Sequence, residues 1–125
     1  MRDSSRLNRV CGELSSVRVV VLGLLLALAI ELLTAWLRFG WGLISAQHGG
    51  ILGRWVGIRI HHGYVGVLLA VLAAGPLRHR HGLRKALLIV SWGLVVSDLV
   101  HHFLVLWPIT GSPQFDFVYP PAGRS

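Results

Sequence analysis

Acidic residues and cysteine are the scarce types in this chain, with five Asp and Glu and a single Cys among 125 residues. The lone Cys11 closes no disulfide within the chain and excludes a cysteine-ligated zinc or iron–sulfur cluster. In the N-terminal flank it reads as an ordinary thiol, with palmitoylation as the sharper alternative. Also missing are the HExxH zinc-protease motif, the GxSxG elbow, the phosphate-binding P-loop and GxGxxG, so the chemistries those motifs support have no signature here. Charge is thin as well: 14% of residues are charged while 54% are hydrophobic, and the mean hydropathy is +0.64. That is more apolar surface than one small soluble core buries, and a bilayer is the natural solvent for it.

What charge there is has one sign. Twelve Lys and Arg give a net +7 at pH 7, which in a soluble protein points to nucleic acid. Here the basic residues flank apolar runs and form no stripe interleaved with aromatics. Nucleic acid is therefore excluded as a partner, and membrane lipids with anionic headgroups take its place.

Three apolar runs organise the chain. The first follows Arg18, runs from Val19 to Ile30 and resumes after Glu31 through Leu37; the second ends at Gly75-Pro76, and the third ends near Pro108. Ala27-Leu28-Ala29 has the small-x-small pattern of signal-peptide cleavage, but the resumption of the run predicts a retained helix. The expected fold is a single all-α domain, an integral membrane bundle of three transmembrane helices over roughly 18–38, 56–77 and 86–107, with an extended Pro/aromatic tail over 108–125. Arg2, Arg6, Arg9, Arg18, Arg78, Arg80, Arg84 and Lys85 fall on one side of such a bundle and Arg38, Arg54, Arg59 and Arg124 on the other. The positive-inside rule then predicts a cytoplasmic N-terminus and a C-terminus outside.

An ionisable group at a helix centre costs about 2.5 to 3.5 kcal/mol to insert, so each one in a span needs a partner or a purpose. Glu31 lies in the first run, His61 and His62 near the start of the second, and Asp98, His101 and His102 in the third. At about 1.5 Å per residue all six fall roughly 8 to 14 Å below the outer boundary. Asp98, His101 and His102, spaced i, i+3 and i+4, share one side of a helix. Imidazole with carboxylate suits a transition metal, Fe or Zn foremost, and a carboxylate with His at i+3 is used in di-iron bundles. The six residues form a predicted ligand pool, with Glu31 and Asp98 as proton acceptors in a hydrolytic site; an oxidative site with two irons is the other version. Arg54 and Arg59, flanking the histidines of the second run, either snorkel to headgroups or hold an anionic substrate. Asp98-Leu99-Val100-His101-His102 resembles the HxxHH box of membrane fatty-acid desaturases and hydroxylases with Asp in the first place, over five residues and without that family's other boxes.

The expected function is thus a metal site in the outer half of the bilayer, serving an oxidoreductase or hydrolase of a lipid-like substrate. Non-catalytic alternatives are haem binding through axial histidine, an accessory subunit of a larger membrane complex, or a proton pathway that needs a homo-oligomer. The plainest alternative is that the histidines only hydrogen-bond to Glu31 and Asp98 and hold three helices together.

Overall fold

The computed structural model describes residues 9–42 and 61–114, and every structural statement below concerns these. They are helical, with no strand among them. Helix α1 spans Ser16–Ala35 and runs on as a π-helical turn over Trp36–Gly40. Helix α2 spans His62–Ala74. Helix α3 spans His81–Leu99, widens into a π-helical segment over Val100–Leu106, and closes with a single turn, α4, over Trp107–Thr110. Two continuous stretches, Ser16–Gly40 and His81–Thr110, are long and apolar enough to cross a membrane.

Local chemistry sets the ends. Ser15 caps α1, its hydroxyl accepting from the Arg18 amide at 3.3 Å. Gly75 and Pro76 stop α2, because proline has no N–H to continue the ladder. The helix covers 13 residues, about 20 Å; the part of the second run before His61 lies outside the described residues. Helix α3 starts at His81, within the basic stretch and ahead of the apolar run, since Arg84 and Lys85 are good helix formers that tolerate a first turn. It also carries on through Pro108, where the sequence suggested a stop. The bonding has already shifted there: the Trp107 amide reaches back five residues to the His102 carbonyl, and a widened turn relieves the clash that a proline ring makes in a regular helix. Gly111, at φ 74°, then ends the helix in the left-handed conformation that glycine adopts without strain.

Helix α3 lies between α1 and α2, which pack on it from two sides and do not touch each other. Helix α1 runs parallel to α3, and α2 runs antiparallel to it. The buried stripe of α1 is Val19, Gly23, Ala27 and Glu31, one residue per turn and mostly small. A Cβ on Gly23 would lie 2.7 Å from Trp92 Cβ, and one on Gly93 2.7 Å from Leu26 Cδ2, so the two backbones meet at closer range than any larger residue permits. On the other side Gly63, Gly66 and Ala73 are the buried positions of α2. A Cβ on Gly66 would stand 2.9 Å from the Ser91 carbonyl oxygen, a backbone atom that cannot swing aside. Gly66→Ala is therefore expected to destabilise the folded protein by about 1 to 3 kcal/mol, measured as a lowered Tm in detergent. Gly12→Ala, with open space around the new methyl group, serves as the neutral control.

Candidate metal centre

The contact between α2 and α3 positions three buried ligand atoms. His61 immediately precedes α2 in an extended conformation (φ −87°, ψ 140°), which turns its ring inward toward α3 rather than along the helix. Asp98 occupies the last α-helical turn of α3, against Gly63; a Cβ there would fall 2.7 Å from Asp98 Oδ2, so glycine makes the room for this carboxylate. His102 follows four residues later in the π-helical segment. The side chains of His61 and Asp98 are each 3% exposed and that of His102 7%, so the three are shielded from solvent as a group.

The distances among them are short. His61 Nδ1 is 3.0 Å from His102 Nε2, and Asp98 Oδ1 is 3.7 Å from the first and 3.8 Å from the second. The point equidistant from the three atoms lies about 2 Å from each, which is the bond length of a zinc–imidazole or zinc–carboxylate ligand. All three ligand atoms thus address one ion-sized point. Asp98 Oδ1 is also a buried oxygen without a hydrogen-bond partner, and a carboxylate in a dry interior carries a cost that imidazoles 3.3 to 3.8 Å away offset only when protonated. A cation at that point removes the cost.

The outer support of His102 matches this arrangement. Its Nδ1 is 2.7 Å from the Pro113 carbonyl oxygen, and a carbonyl can only accept. The ring proton therefore sits on Nδ1 and leaves the Nε2 lone pair facing the triad, the tautomer that a metal ligand needs. The segment after α4 that supplies this carbonyl is itself held down, because Arg38 Nη2 donates to Gln114 Oε1 at 3.3 Å. Gln114 adopts φ 50°, and Thr110 donates to both the Leu106 and Ser112 carbonyls, so the chain reverses tightly over the cluster.

His62 stands beside the triad, Nδ1 3.3 Å from Asp98 Oδ1, and is the half-exposed member of the group. The remaining two residues of the expected pool are not part of it. Glu31 is buried on α1 and pairs with His101, Nδ1 to Oε1 2.9 Å, while the His101 and His102 rings meet edge to face at 5.5 Å. The six ionisable groups therefore divide into a cluster of four and a pair. The pair joins α1 to α3, and the cluster joins α2 to α3.

No family model, curated protein or solved structure matches this chain. Arg54 and Arg59, expected beside the histidines as headgroup or substrate contacts, lie outside the described residues. A haem held from both faces does not suit the closest histidine pair, because axial nitrogens stand about 4 Å apart, twice a metal–imidazole bond, against 3.0 Å here.

Reading the residues alone missed the contributions of Gly63 and Pro113. The signal for Gly63 was its position directly after the two histidines, where a small residue lets the neighbouring helix bring a side chain close. For Pro113 no signal was available, since the contribution is a backbone carbonyl placed by a chain reversal.

Proposed function

We propose that this chain is a membrane-embedded metalloprotein whose three helices cross the bilayer and hold one transition-metal ion between His61 Nδ1, Asp98 Oδ1 and His102 Nε2. The observation that carries the reading is the convergence of these three buried atoms on a single point at bonding distance. Support for the membrane comes from α1, which is apolar on every side yet buries one narrow stripe. Leu24, Leu25, Leu28, Leu32 and Leu33 are 48 to 63% exposed, a surface that lipid solvates and water does not. By the positive-inside rule the basic stretch between α2 and α3 supports a cytoplasmic position for that end of the bundle, with the metal toward the outer leaflet.

Zinc suits the donor set best. A tetrahedral ion with bonds of about 2.05 Å holds its ligand atoms about 3.3 Å apart, whereas the face of an octahedron brings them to about 3 Å. The separations here, 3.0, 3.7 and 3.8 Å, straddle both values, so the choice of zinc rests on the donor types, two imidazoles and a carboxylate. Two histidines and one carboxylate leave a fourth position for water, the pattern of catalytic zinc rather than of closed structural sites. Such an ion makes bound water acidic enough to supply hydroxide near neutral pH. Hydrolysis of a lipid-like molecule reaching the centre from the bilayer is the chemistry this arrangement serves. Asp98 acts there as a ligand, and Glu31, engaged by His101, keeps α1 in place. The two-iron version has less support, because among the described residues one cluster of three ligand atoms exists, and three atoms converging on one point suit a single ion.

Elemental analysis of detergent-purified protein tests the reading. About one zinc per chain is expected in the wild type, retained in His62→Ala and lost in His102→Ala. Metal-free wild-type protein that is folded and does not take up zinc on titration overturns it.

A further inference from the structure

At the opposite end of the bundle, far along α3 from the metal centre, a cavity of about 220 Å³ opens between α1 and α3. Its rim is basic: His81, Arg84 and Lys85 line it, and no acidic side chain does. Its floor is apolar, formed by Val20, Leu88 and Trp92 among others. Because α1 and α3 run parallel, both of their N-termini lie at this end, and neither helix has an acidic residue in its first turn. Two helix dipoles and the charged side chains of Arg84 and Lys85 thus present positive potential to one cavity. Lys85 Nζ donates to the Gly12 and Leu14 carbonyls at 2.7 and 2.6 Å, which fixes its ammonium group at the rim without neutralising it.

We infer that this cavity binds one anionic phospholipid, its phosphate at the rim formed by His81, Arg84 and Lys85 and the start of an acyl chain on Val20, Leu88 and Trp92. The split lining selects this occupant. A free phosphate leaves the apolar floor uncovered, and a zwitterionic lipid brings its own ammonium group up to the cationic rim. Place agrees with chemistry, since Ser16 and His81 begin the two long apolar stretches and their level is that of the headgroups. The inference rests on the membrane reading above and is independent of the metal.

The test uses the full chain in vesicles of phosphatidylcholine, with and without one-fifth phosphatidylglycerol. Lipid retained on the protein after extraction is counted by native mass spectrometry. Wild type is expected to keep one phosphatidylglycerol at least tenfold in preference to phosphatidylcholine. Two variants should lose that preference with their zinc content and helical circular dichroism unchanged: Arg84→Glu, which reverses charge at the rim, and Val20→Trp, which fills the apolar floor and leaves every charge in place. Equal retention of the two lipids by the wild type overturns the inference, as does a preference that survives Val20→Trp, which assigns it to diffuse positive charge. Protein that fails to float with either vesicle overturns the membrane reading along with it.

Discussion

In the Asp98→Asn variant metal affinity is expected to fall by more than about a hundredfold, while the metal-free protein keeps its fold. Asparagine fills the same space against Gly63, so packing at the contact between α2 and α3 is preserved. What disappears is the negative charge and the strongest oxygen donor at the point shared with His61 and His102. Loss of a hydrogen-bonding group around a metal ligand alone costs 10 to 100-fold, and loss of the ligand itself costs more. Thermal unfolding reads the effect directly. A metal present at about 100 times its Kd stabilises a folded protein by about 2.7 kcal/mol, so zinc should raise the Tm of the wild type and leave that of Asp98→Asn unmoved. An equal zinc-dependent rise in both proteins contradicts the assignment of Asp98.

A second large effect is expected at the other buried carboxylate, and it is of a different kind. Glu31→Leu leaves His101 without its partner on the opposing helix, and His101→Leu leaves Glu31 as an unpaired buried acid. Breaking one side of a buried pair costs about 3 to 5 kcal/mol in soluble proteins, and polar couplings between membrane helices reach about 0.6 to 1.7 kcal/mol. Each single variant should therefore lower the Tm substantially. The double variant, in which leucine meets leucine between α1 and α3, should recover much of the loss. All three should bind zinc with wild-type stoichiometry, since the triad lies between α2 and α3. Loss of zinc from folded Glu31→Leu would return Glu31 to the ligand set.

These two results separate residues that look alike in the sequence. Periodicity and hydropathy made both long helices legible, because each is an uninterrupted apolar run between polar flanks. The six ionisable groups within the apolar runs were legible for a related reason: charge stands out where nothing else is polar. Their grouping was not legible. Asp98, His101 and His102 fall on one broad side of a helix, but adjacent residues still point about 100° apart, and α3 has a neighbour on each side. His102 stays with Asp98, and His101 faces Glu31 on α1. Nothing in Val100 to Leu106 announces a π-helical segment except the proline two residues beyond it. The choice between His61 and His62 was hidden too, since it depends on where α2 begins: one step outside the helix, the extended backbone of His61 turns its ring to the triad. The carbonyl of Pro113 depends on the positive φ at Gly111, which ends the helix and turns the chain back toward His102. Such a reversal is a property of the assembled bundle, in which Arg38 at the end of α1 secures Gln114.

The most direct measurement of the central claim is zinc K-edge X-ray absorption on the purified protein, with His102→Ala as reference. A low-coordinate zinc is expected, with nitrogen and oxygen ligands at about 2.0 to 2.1 Å, two of them imidazole, and no sulfur. In His102→Ala that signature should be lost together with the bound metal. A zinc signal with one imidazole or none in the wild type, or an unchanged spectrum in the variant, would contradict the site formed by His61, Asp98 and His102.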